Sequence, residues 1–235
     1  MFTFDRNGCS RSTETTVHVA PKYAIAEGRG FAEAAAILGA NFGGSLVRDG
    51  WAPYRQFASA WHQTCLGHLL ARTKELLIDH PHSAWLLNVK NVLQNALSLR
   101  DRFNAQTMSR RGLAVTRGRL IERLVGLLEE PHRIEALDRL GRHLITEFPA
   151  IFTFLFDPTL DATNWRAEQA LRPAVITRKV NGGGNRTPRG AQTQQILASI
   201  IRTASQRGLD HSALLVKMLR SPKPIVPQAL RPPVN

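Results

Sequence analysis

Two carboxylates stand where their type and surroundings could do chemistry. Asp49 follows the apolar run of "GSLVRDGW", and Glu168 lies in "TNWRAEQALRPAVITRKV", residues 163–180, among Arg166, Arg172, Arg178 and Lys179. Carboxylates projected from rigid elements toward a shared site bind divalent magnesium or manganese. Two such ions, about 3.5 to 4 Å apart, activate a water or hydroxyl and stabilise the leaving oxygen of a phosphodiester. That chemistry needs acids set inside a phosphate-attracting surface. Spacing alone favours plainer roles: Asp49 as the polar member of an Asp-Gly turn, and Glu168 as the i,i+4 partner of Arg172.

Other polar groups gather near these acids. Asn164, Glu168 and Arg172 recur at i, i+4 and i+8, one face of a helix, followed by Arg178 and Lys179. A face of this kind is ordinarily just solvated. The loop "GGGNRTPRG" lacks the Gly-Lys-Ser/Thr ending of a nucleotide-binding P-loop. Its Gly182, Gly183 and Gly184 still let a phosphate approach the backbone, with Arg186 and Arg189 beside it. His62, Cys65 and His68 are spaced by three, as zinc ligands can be, but no fourth ligand is evident, and a buried thiol with ordinary histidines is the better reading. No Ser-His-Asp arrangement or nucleophile elbow is legible.

The chain around these residues has 31 Lys and Arg against 18 Asp and Glu, a net charge of +13 over 235 residues. Such a field attracts polyanions, DNA above all. An anionic membrane surface is disfavoured, because no long stretch combines a basic face with a Trp/Phe/Leu face. With 43% hydrophobic and 21% charged residues the chain is expected to fold. Two cysteines, no signal-like start and no stretch long and apolar enough to span a bilayer fit a reducing cytoplasm.

The elements that must position the acids follow from periodicity. "KYAIAE" reads as a strand, "GFAEAAAILG" as a helix stopped by Gly39, and "GSLVRDGW" as a buried strand ending in an Asp-Gly turn. Pro53 opens a helical turn, and "HQTCLGHLL" runs into a further helix. Residues 70–148 are predicted all-helical, punctuated by Pro81, Gly112 and Pro131. "EFPAIFTFLFDP" is apolar enough to be buried. Thr163 or Asp161 is placed to cap a helix with Glu168 in its middle. Ile196, Ile200 and Ile201 mark one face of a later helix, and the proline-rich end, residues 221–235, is predicted to be extended.

Taken together, "RGFAEAAAILGANFGGSLVRDGWAPYRQF", "HQTCLGHLLAR", "FLFDPTLDATNWRAEQALRPAVITRKV" and "GGNRTPRGAQTQ" resemble transposases of the insertion sequence sixty-six family, from about Tyr23 to about Arg220. The resemblance implies an RNase H-like core, a five-stranded mixed sheet carrying an Asp-Asp-Glu triad that holds two magnesium ions. It also implies cleavage at transposon ends and strand transfer into target DNA by an assembly of transposase copies. Asp49 then looks like the second Asp and Glu168 like the Glu, both metal ligands, with Arg172, Arg178, Lys179, Arg186 and Arg189 facing DNA phosphates.

On this reading the chain is α/β, an incomplete RNase H-like core with an all-helical insertion. Residues 1–69 form the N-terminal part of the core, 70–148 the insertion, 149–220 the C-terminal part and 221–235 the tail. The first strand, with the first Asp, is not legible: Asp5 in "FDRNG" reads as a turn and is not assigned to the triad. That strand is central in such a fold, and two carboxylates hold a metal pair poorly, so the chain alone is expected to be nearly inactive. The alternative is a non-catalytic DNA-binding remnant that interferes with an intact transposase.

Overall fold

Helical periodicity between residues 66 and 151 yields four helices around a shared apolar core. The computed structural model describes residues 24, 25, 28, 30–180, 185 and 187–223. Its elements are α1 (Phe31–Leu38), β1 (Ser45–Arg48), a 3-10 turn (Ala52–Gln56), β2 (Trp61–Thr64), α2 (Leu66–Asp79), α3 (Ala84–Asn104), α4 (Arg110–Leu128) and α5 (Glu135–Ile151). A second 3-10 turn (Thr153–Leu155) follows, then α6 (Trp165–Val180), α7 (Pro188–Gln206) and α8 (His211–Arg220). The chain divides into two compact units, one of residues 38–165 and one of residues 1–37 with 166–235.

In the first unit, α3 buries Trp85, Leu86, Val89, Val92, Leu93, Ala96 and Leu99, a stripe at helical spacing. Ser83 caps its start by accepting from the Leu86 N–H, and Ser109 does the same for α4 through Gly112. The Trp85 indole N–H donates to the Leu127 carbonyl at 2.8 Å, so its polar edge is satisfied inside the core. Pro81 and Pro131 fall in breaks between helices as predicted. Gly112 does not: it lies in the first turn of α4, and the break falls at residues 105–109, where Gln106 takes φ 58°.

β1 and β2 form a parallel pair with Ser45 opposite Trp61 and Arg48 opposite Thr64. The crossover between parallel strands is residues 49–60, with the Pro53 turn in it as expected. The outer edge of β2 is occupied by the turn after α5. Buried Gln63 donates to the Ile151 carbonyl and accepts from the Phe154 N–H, while the Thr153 hydroxyl donates to the His62 carbonyl. Among the described residues the fold is thus helical with a two-stranded parallel sheet, α/β in the coarse sense.

α1, whose residues up to Ile37 belong to the second unit, ends at Leu38 before Gly39, whose φ of +87° is the left-handed stop predicted for it. Residues 24 and 25 are not in a strand, and the rest of that predicted strand lies outside the described residues except for parts of its flank. The Ile25 N–H donates to the Gln195 side chain on α7. α7 closes with Gly208 at φ +63°, the Gly208 N–H on the Ser205 carbonyl and the Leu209 N–H on the Ala204 carbonyl. The isoleucine face of α7 is only partly covered: Ile196 is 48% and Ile201 38% exposed, Ile200 is half-buried, and the buried residues are Thr203 and Ala204. The proline-rich end from residue 224 lies outside the described residues.

Candidate functional site

Asp49 leaves the end of β1 exposed, its Oδ1 accepting the Trp51 N–H at 3.0 Å. Gly50 follows at φ +85°, the Asp-Gly turn expected from the sequence. Immediately before it, Arg48 is 3% exposed and paired with Glu147 of α5, itself 0% exposed. The contact is an ion pair between two buried side chains. Glu147 also accepts from the Thr64 hydroxyl at 2.6 Å and from Arg55 at 2.8 Å. Burial pushes the Glu147 carboxyl up, but Thr64, Arg48 and Arg55 together outweigh it and hold the group below the usual carboxylate range.

His62 completes the cluster. Its Nδ1 accepts from Arg48 Nε at 3.2 Å and its Nε2–H donates to the Phe57 carbonyl at 2.9 Å. Burial, helped by Arg48 and opposed by the Phe57 carbonyl, lowers its pKa and favours this neutral tautomer. With both ring nitrogens engaged, His62 does not join Cys65 and His68 as a zinc ligand. Burial likewise lowers the pKa of His143, with Arg72 adding to the effect.

Cys65 is buried where β2 passes into α2. Its N–H donates to the Arg48 carbonyl at 2.7 Å, the Leu66 N–H donates to Ala162, and the Asn164 N–H donates to Cys65 Sγ at 3.4 Å. Burial pushes the thiol up, but His68 and the Asn164 N–H outweigh it and leave it below its ordinary value. The Asn164 side-chain oxygen is buried without a hydrogen-bond partner. Residues 162–164 are therefore fastened to the end of β2, which fixes the chain just before α6.

Glu168 lies in the first turn of α6, not in its middle, because the helix starts only at Trp165, with Asn164 preceding it in place of Thr163 or Asp161. It is exposed while Ala167 and Ala170 beside it are buried. Arg172 and Lys179 are exposed on the same helix, and Arg178 has its backbone in it, its side chain outside the described set. Arg189 is exposed in the first turn of α7, which Thr187 caps through Gly190. Arg186 and Gly182 to Gly184 lie outside the described residues.

Asp49 and Glu168 belong to different compact units. Both offer hard carboxylate oxygens, the donor type that magnesium takes. Among the described residues no three of His, Cys, Asp and Glu gather closely enough to hold a metal ion.

Sequence reasoning missed Glu147 and the residues it holds. The signal was there in spacing: Leu140, Leu144, Glu147 and Ile151 share one face of α5, so an acid occupies a core position. No helix of the described residues is long and apolar enough to cross a membrane.

A protein of Sinorhizobium fredii (strain NBRC 101917 / NGR234), described as the uncharacterized protein y4jD, is 27% identical over 214 residues, covering 84% of this chain and 41% of that protein. The chain thus spans about two fifths of that relative's length. No solved structure matches. The family model for transposases of the IS66 family matches residues 9–193, a span that includes β1 with Asp49 and α6 with Glu168. A match over most of its length means that the chain belongs to the IS66 family of transposases.

Proposed function

We propose that this chain is a catalytic region of a DDE transposase, which cuts DNA at the ends of an insertion sequence and joins them to target DNA in the cytoplasm. The observation that carries the reading is the family match across both acids, each exposed, Asp49 directly after β1 and Glu168 in α6. Residues 1–69 and 149–220 contribute to an RNase H-like core, residues 70–148 form its helical insertion, and 221–235 are a tail. Asp49 and Glu168 act as metal ligands. They would hold magnesium, with manganese as a substitute, which when bound would supply charge to activate a water or hydroxyl and to stabilise the leaving oxygen. Arg172, Arg178, Lys179, Arg186 and Arg189 bind phosphates and hold the DNA in register. The buried Arg48–Glu147 pair and the Cys65–Asn164 contact fix the backbone next to each acid. Several copies assemble around the two DNA ends.

Only Asp49 and Glu168 are assigned as ligands; two carboxylates hold a metal pair poorly, so cleavage by this chain alone is expected to be weak. Asp5 lies outside the described residues. The net charge of +13 favours a second reading, salt-dependent DNA binding without cleavage, by which the chain interferes with an intact transposase.

The test is incubation with magnesium and DNA carrying the element's terminal sequences, comparing the parent chain with Glu168→Gln and Asp49→Asn. Either substitution removes a charged ligand at nearly constant shape, so cleavage is expected to fall by a factor on the order of a hundred or more, with DNA binding retained. Unchanged magnesium-dependent cleavage in Glu168→Gln would sink the assignment. Binding that weakens with salt and never leads to cleavage selects the second reading.

A further inference from the structure

A groove with a volume of about 730 Å³ opens beside the sheet, entirely within the unit of residues 38–165. Its size falls in the range of about 300–1,000 Å³ common for ligand sites. Two large aromatic side chains stand in it largely uncovered, Trp61 at 66% and Phe156 at 58% exposure. Both are unusual in water, and they face a common space rather than lying scattered.

The charge of this groove is positive. Arg48 and Arg55 line it against one carboxylate, Glu147, which sits behind them, and no acid is among the lining residues described. His62 is in the lining but neutral, since both nitrogens are engaged as described above. Arg117 adds a further cation. Its guanidinium lies 3.8 Å from the centre of the Phe156 ring and donates to the Leu155 carbonyl at 3.1 Å, so it is held in place. Ile121, one helical turn beyond Arg117, also lines the groove.

We propose that this groove takes unpaired bases of a DNA strand, which stack on Trp61 and Phe156 while Arg55 and Arg117 meet the flanking phosphates. Aromatic faces beside cations are how proteins hold single-stranded nucleic acid, because every base offers a stacking face. Bases inside a duplex are already stacked and do not enter. The inference rests on the reading that the chain acts on DNA, and it adds that the strand is opened or unpaired where it passes this groove.

The experiment is titration of the full chain with a short oligothymidylate at low salt, following tryptophan emission, with a blunt duplex as the parallel ligand. Saturable quenching is expected in the parent chain. Trp61→Ala and Phe156→Ala should each weaken oligothymidylate binding by about tenfold or more, with duplex binding unchanged. Trp61→Phe should keep affinity and lose most of the quenching, although three other tryptophans remain of the four.

Alanine variants that melt like the parent and bind oligothymidylate equally well overturn the proposal. So does sedimentation showing that the parent self-associates and the alanine variants do not, which would make the groove an interface between copies. Should an alanine variant fail to fold, Trp61→Phe decides, and undiminished quenching overturns the assignment. Duplex binding without any effect at the groove leaves the DNA reading standing. Groove binding without cleavage leaves this inference standing when the catalytic one has failed.

Discussion

An arginine at 3% exposure is stable only beside an anion, and Glu147 supplies that anion to Arg48 from a helix far away in sequence. Glu147→Gln keeps an acceptor for the Thr64 hydroxyl but leaves the guanidinium buried without a counter-charge. The expected loss is about 3–5 kcal/mol, read as a lower urea midpoint at unchanged slope. Joint replacement of Arg48 by Met and Glu147 by Leu should recover much of it, because the desolvation cost of the ions disappears with them. Glu168→Gln, at an exposed site, should move stability by no more than about 0.5 kcal/mol. The two acids are thus separable: one holds the fold, the other is proposed to hold metal. Sequence reading reached Asp49 and Glu168 through their setting and the family resemblance. It passed over Glu147 because "EFPAIF" reads as an apolar block, and an acid's partners, Arg48, Arg55 and Thr64, are set by tertiary contact that spacing does not reveal.

At the scale of elements, the turn after β1 is the piece that aims Asp49. Gly50 at φ +85° lies where a Cβ is strained, and a Cβ there would also come within 3.3 Å of the His143 ring. Gly50→Ala is expected to cost about 1–2 kcal/mol and to lower the melting temperature, with a larger fractional loss of any cleavage activity than of DNA binding. The Asp-Gly turn and the Gly39 stop were legible because glycine at a left-handed position carries a local signal. The helix breaks near Pro81 and Pro131 were legible for the same kind of reason. The Gly112 break was not, since a glycine fits the first turn of a helix, and serine caps decide where α3 and α4 begin. The isoleucines of α7 follow a helical period, yet period alone does not say whether a face is covered, and Ile196 and Ile201 stand in solvent.

For the whole molecule, three titratable groups, the buried Glu147 and the half-buried His62 and His143, point the same way. Burial holds the folded pKa values of His62 and His143 below the ordinary imidazole value of 6.5, so the unfolded chain binds more protons just below that pH. Stability should therefore begin to fall as pH drops through about 6.5 toward their folded values. Glu147, lowered from 4.5, contributes stability that is present above that value and is lost as pH falls through its depressed pKa. Melting temperature measured from neutral to acid pH should decline in two stages, and Glu147→Gln should remove the more acidic one. The mixed helical and strand character of the chain was legible from period and punctuation. Its division at residues 37–38 and 165–166 was not, because no composition change or linker marks either point. Finally, the two edges of the small sheet are unequal. Gln63 and Thr153 tie the turn after α5 across the flank of β2, whereas β1 is paired on one side only among the described residues. Growth of this sheet is thereby directional: any further strand, from this polypeptide or another, has its place alongside Ser45–Arg48, and would bring its own end next to Asp49.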